Sequence, residues 1–204
     1  GIIALGLREG DRLIRVTLTD GKSQMLVASY NGKVVRFPED TVRPMGRTAT
    51  GVRAIKLDED GKDCVVGMIC VEEGSKDTVL VISDKGYGKR TMLDDETGEP
   101  IYRITNRGGK GVKTMNITDK TGNLIGMEAV NDEQDLMLIT KSGTAIRMPM
   151  TSISILGRAT QGVKLIELQK RNDTLMFGCT VPKEEVEEQT AEEGTNEVTN
   201  NTEE

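Results

Sequence analysis

GRTATGVRAIKL, residues 46–57, and GRATQGVKLIEL, residues 157–168, are nearly the same twelve letters written more than a hundred residues apart. A repeat on that scale governs the reading of the chain, because each copy builds one supersecondary unit. Two weaker relatives complete the series: RGGKGVKTMNI at 107–117 and the opening GIIALGL. Aligned on the glycine before Val or Ile, the series falls at Gly1, Gly51, Gly111 and Gly162, with spacings of 50, 60 and 51. Two further markers keep the same order and period. One is a glycine with an arginine four residues later: Gly32 and Arg36, Gly86 and Arg90, Gly143 and Arg147. The other is an apolar stretch after each glycine phrase, DRLIRVTL, DCVVGMICV, NLIGMEAV and DTLMFGCTV.

Each unit reads as β structure. QMLVASYNGKVVRF is two apolar-rich runs about a glycine turn, and DTVLVISDKGYGKRTM and DLMLITKSGTAIRM repeat the form. The phrase GVRAIKL alternates apolar and polar residues and predicts another strand. The apolar stretch before each hairpin supplies a fourth. About four strands in roughly 50 residues is the pattern of a propeller blade. No segment of residues 1–182 sustains a helical apolar period between caps. LDDETGEPIYRITN, with Gly98 and Pro100, reads as a long connection that lengthens one period to 60. The predicted fold is therefore all-β: a propeller-like repeat of three blades, an arc from a ring that closes at about four to eight. The full units fall at about 8–57, 58–117 and 118–168. Residues 1–7 read as the last strand of a preceding blade and 169–182 as a closing strand.

Composition removes many alternatives. The chain has 204 residues and no histidine, so no Ser-His-Asp or Cys-His nucleophile and no histidine metal ligand. Cys64, Cys70 and Cys179 fit neither a disulfide framework nor a zinc site. With no Trp, two Phe and three Tyr, the core rests on Val, Ile, Leu and Met. No apolar run is long enough to span a bilayer. The net charge of −6 is uneven: residues 183–204 hold nine Glu and one Lys, which leaves 26 basic and 24 acidic residues, about +2, on 1–182. That tail predicts disorder, and its charge suits it to compete with a polyanion for basic ground on the body.

The phrases GKVVRF, GYGKR and GRATQGVKLI, with the acidic C-terminus, resemble the C-terminal domains of DNA gyrase A subunits over residues 1 to about 182. The resemblance implies a β-pinwheel of about six blades, of which this chain is the last three and the tail. It implies a module that wraps double-stranded DNA for a type IIA topoisomerase and so directs ATP-dependent negative supercoiling. The implied partners are the N-terminal breakage-reunion part of the same polypeptide and the B subunit of gyrase, in a heterotetramer of two A and two B subunits. The implied setting is the cytoplasm, on the bacterial chromosome, without a membrane partner. No cofactor is expected in this chain; ATP and Mg2+ would serve the parent through other domains. None of Tyr30, Tyr87 or Tyr102 stands in the family's catalytic tyrosine motif, so no catalytic residue is expected here. The family's wrapping signature has the form QRRGGKG in its first blade. Here NRGGKG, residues 106–111, is its repeat equivalent in the second full unit, and the signature itself is expected upstream. The C-terminal domain of the topoisomerase IV A subunit is the related alternative, and a propeller-like scaffold that binds protein is the rival from another class.

Wrapping a duplex needs cations along a curved surface, because phosphates repeat evenly and release counterions when neutralised. Glycines beside those cations let backbone N–H groups approach phosphate. The candidates in the phrases are Arg47, Arg53 and Lys56, then Arg107, Lys110 and Lys113, then Arg158 and Lys164. Those in the hairpins are Arg36, Lys89, Arg90 and Arg147, for which an inter-blade ion pair is the competing role. No metal ligands are expected. DEDGKD at 58–63 has its glycine too early for a calcium loop and Ile69 where the loop's last acid belongs, so it reads as a turn.

Overall fold

The structure, a computed structural model, describes residues 1–168 and 172–183. Eleven strands form three antiparallel sheets among them. The hairpins predicted from the glycine turns are the centre of each sheet: β1 (Gln24–Ser29) with β2 (Lys33–Pro38), β4 (Thr78–Ser83) with β5 (Tyr87–Met92), and β8 (Gln134–Thr140) with β9 (Ala145–Pro149). The apolar stretch that follows each hairpin pairs on its first strand. These are β3 (Val65–Val71) on β1, β7 (Leu124–Val130) on β4, and β11 (Leu175–Pro182) on β8.

The glycine phrases differ from the expectation. They are not full strands but two-residue strands, β6 (Val112–Lys113) and β10 (Val163–Lys164). Each pairs with the second strand of the hairpin one unit earlier: β6 with β2, and β10 with β5. The orders are therefore β3-β1-β2-β6, β10-β5-β4-β7 and β11-β8-β9. The first phrase makes only an isolated bridge, Ile55 to Gly109. Residues 1–7, expected as a strand, form none, and neither do residues 11–18, where Leu18 is 97% exposed. The reason is the pairing rule itself: the counterparts of both segments pair with a preceding hairpin, and the described residues contain none before β1. Of the closing segment 169–182, β11 is present, and 169–171 lie outside the described residues, as do residues 184–204 of the acidic tail.

The glycines that begin β6 and β10 show why the phrase recurs. Gly111 has φ +72° and Gly162 φ +77°. A Cβ on Gly111 would stand 2.6 Å from the Val34 carbonyl oxygen, and one on Gly162 would stand 2.7 Å from that of Gly88. Backbone passes so close to the previous hairpin that only glycine fits.

The sheets share their cores. Leu26, Val34 and Ile69 of the first pack with Val79, Val81 and Met127 of the second, around Tyr102 and Met115. Leu80, Ile82 and Val130 of the second pack with Leu136, Leu138 and Leu175 of the third. A further cluster, Met25, Val27, Val35, Phe37 and Ile55, joins the first sheet to the first glycine phrase. No helix among the described residues is long and apolar enough to cross a membrane.

Candidate nucleic-acid interface

The second and third phrases reach back to the preceding hairpins, and successive phrases lie side by side. The Gly108 N–H donates to Ala54 O (2.6 Å) and the Lys56 N–H to Gly109 O (2.8 Å), joining the first phrase to the second. Asn116 N–H donates to Thr160 O (2.9 Å) and Arg158 Nη1 to Lys113 O (2.7 Å), joining the second to the third. The Gly6 N–H donates to Ala49 O (3.1 Å), which sets the opening phrase at the other end of the row.

The row carries the predicted phrase cations. Arg47, Arg53, Lys110 and Lys113 are exposed, and their side chains make no hydrogen bond or ion pair among the described residues. Arg107 is exposed and engages only its Nε, on Thr41 O (3.2 Å). Lys56 sits 3.8 Å from Glu59. Lys164 pairs with Glu167 at 2.7 Å, which raises its pKa, and lies 5.9 Å from the Tyr87 ring centre. Arg158 is half-buried at the seam between phrases. Exposed cations without carboxylates are free to meet phosphate, and the glycine turns keep the main chain low between them.

The hairpin cations stand elsewhere. Arg36 and Arg90 are buried. Arg36 Nη1 pairs with Asp94 at 2.8 Å and reaches Tyr102 O. Arg90 pairs with Asp132 at 2.7 Å and donates to Thr78 Oγ1 and Met150 O. Arg147 pairs with Asp135 at 2.8 Å and donates to Pro182 O. Arg36 and Arg90 thus tie one unit to the next, the competing role, and offer no exposed charge to a duplex, whereas Arg147 pairs within its own hairpin, across β8 and β9.

Lys89 is wholly buried in β5. Its Nζ donates to Gly157 O (2.5 Å) and Arg158 O (2.6 Å), the base of the third phrase. Burial and the nearby Arg158 lower its pKa to about 8. It holds the loop that presents Arg158 rather than presenting a charge of its own.

Two exposed arginines escaped the sequence reading. Arg43 and Arg103 each stand four residues before a phrase arginine, Arg47 and Arg107, and neither has a side-chain partner among the described residues. That spacing is the signal; Ser154 holds the same place before Arg158. DEDGKD is a turn, with Asp60 accepting the Lys62 and Asp63 N–H groups and the Asn31 amide, and its pKa lowered to about 2.

The chain matches the family model described as DNA gyrase C-terminal domain, beta-propeller, over residues 24–72, 77–95, 102–131 and 134–177. The breaks fall in the connections between strands, including the insertion that lengthens the second unit. It is 45% identical over 193 residues to the DNA gyrase A protein of Staphylococcus aureus strain NCTC 8325 / PS 47, and 44% identical to that of strain MRSA252. Those alignments cover 95% of this chain, which spans 21% of the length of these relatives. Among solved structures, the C-terminal domain of DNA topoisomerase IV superposes with a TM-score of 0.78 at 20% identity, over 88% of this chain and 53% of that one. A DNA gyrase A C-terminal domain does so with 0.75 at 24% identity, over 88% and 58%. At these identities the two structures speak for the fold.

Proposed function

The chain belongs to the DNA gyrase C-terminal domain family, and on that premise we propose that it binds double-stranded DNA through the phosphate backbone, along the row of glycine phrases. One observation carries the reading: the fold brings three phrases from distant parts of the sequence into contact and leaves Arg47, Arg53, Lys110 and Lys113 exposed and unpartnered along them. Such a surface neutralises phosphates without reading bases, so the affinity is independent of sequence and falls steeply with salt.

In the parent protein the module serves as the DNA-wrapping part of the gyrase A polypeptide, in a type IIA topoisomerase. It hands a wrapped segment to the breakage-reunion part of the same polypeptide, in a complex of two A and two B subunits on the bacterial chromosome. ATP and Mg2+ act in the other domains, and this chain contributes binding and geometry. The 45% identity to gyrase A proteins favours gyrase over topoisomerase IV. A protein-binding scaffold finds less support, because the row is cationic.

Affinity for a duplex of about forty base pairs, measured across a salt series, tests the reading. Several cations in the row predict a log–log slope of several units, at about 0.9 per phosphate neutralised. Weak, salt-insensitive binding would overturn it.

A further inference from the structure

Where the second phrase passes the edge of β2 there is a cavity of about 280 Å³. Arg103, Asn106 and Lys110 line it, with Gly109, Gly111 and the buried Arg36. No carboxylate lines it among the described residues. Arg103 and Lys110 have no side-chain partner there, and the buried Nε of Arg36 has none either, although Arg36 Nη1 is held by Asp94. Two unpaired cations on one small cavity, beside the unpartnered Arg36 Nε–H, repel each other, and an anion between them relieves that repulsion.

The cavity has a counterpart at the first phrase, while its charge is particular to the second. The first phrase has a corresponding cavity, lined by Arg43, Gly46, Ala49, Thr50 and Gly51. Four residues before the phrase arginine the three copies carry Arg43, Arg103 and Ser154. Three residues after it they carry Thr50, Lys110 and Gln161. Only the second copy has a cation at both places. Gly109 and Gly111 add main chain without side chains at the same spot, and a phosphate oxygen can approach their amides closely.

We infer that this cavity is an anion site that takes a single backbone phosphate, held jointly by Arg103 and Lys110, and that it is the anchor of the cationic row. The inference rests on the DNA-binding reading above and adds a definite stoichiometry to it: two cations, one phosphate.

The salt slope counts phosphates rather than cations, so it can separate the possibilities. The full chain is compared with Arg103→Gln, Lys110→Gln, the pair together, and Arg103→Gln combined with Arg47→Gln as a control on a different phosphate. All of these side chains are exposed, and circular dichroism and thermal midpoints check that each variant folds. A shared phosphate predicts that either single change leaves the slope nearly unchanged, because the remaining cation still neutralises that phosphate. It predicts that the Arg103/Lys110 pair lowers the slope by about 0.9, and that the Arg103/Arg47 pair lowers it by no more than about 0.9, the share of the phosphate on Arg47. A loss of about 1.8 for Arg103/Lys110 means two separate phosphates and overturns the inference, as does no loss. A flat salt dependence in the unaltered chain removes the DNA-binding function itself, a result distinct from either of those.

Discussion

Lys89 stands where the other two hairpins carry Val35 and Ile146, opposite Val81 as those are opposite Val27 and Leu138. A charge in an apolar position is retained here because two carbonyls receive it. Its folded pKa, about 8, lies below the ordinary 10.5, so the protonated form destabilises the fold. That penalty is fully present below pH 8 and is relieved as pH rises from 8 towards 10.5, where the unfolded chain binds the extra proton. Urea midpoints of the unaltered chain and Lys89→Met, taken from pH 7 to pH 10, should show the unaltered chain gaining on the variant above pH 8. Parallel curves would contradict this account. In the same variant, hydrogen exchange should quicken at the amides of residues 157–162 and stay unchanged at 46–57. Acceleration at both loops would mean a general loss of stability. Residue type alone conveys none of this. Lys89, Arg36 and Arg90 are basic letters beside glycines, as Lys110 is, and only the register and the sheet packing turn them inward.

The hairpins are legible in the sequence because alternation and a turn glycine are local properties, and all three form in register around Gly32, Gly86 and Gly143. The glycine phrases are legible as units but overread as strands. GVRAIKL alternates along seven letters, yet Val112–Lys113 and Val163–Lys164 are all that pair, since the main chain turns away once it has passed the earlier hairpin. Which hairpin a phrase pairs with is a long-range choice that local pattern does not encode. The phrase glycines give a direct check. Gly51 has φ +86° and a Cβ there would meet nothing within 4 Å, so Gly51→Ala should cost about 1 kcal/mol for the left-handed backbone alone. Gly111→Ala should cost about 1–3 kcal/mol more, because the new Cβ would press on the Val34 carbonyl. Thermal midpoints several degrees lower for Gly111→Ala than for Gly51→Ala are expected. Equal midpoints would mean that β6 does not pack as described.

At the scale of the molecule, charge and connectivity act together. Residues 1–182 carry about +2 and residues 183–204 carry nine Glu, so the two parts should attract across solvent. Deleting 183–204 should tighten duplex binding, most clearly at low salt where screening is weakest. Equal affinity with and without the tail would remove the idea of competition. The candidate interface is legible in outline, since each phrase loop sets Arg and Lys beside glycine. The cavity that Arg103 lines is not, because a cavity belongs to two elements 70 residues apart in the chain, Arg36 in β2 and Asn106 in the phrase.

The loan of β6 and β10 to the preceding sheet also bears on descent. The repeat that can be counted along the sequence is offset from the sheet that folds, so a duplication of one sequence unit does not add one finished sheet. The new copy arrives lending a strand backwards and needing one from ahead. A unit can be gained or lost only if its neighbours still match the glycine-edged strand it exchanges, as Val112 matches Val34 and Val163 matches Gly88. The form of GRATQGVKLIEL then has a second meaning: it is held by the hairpin of the unit before it, through β10 on β5.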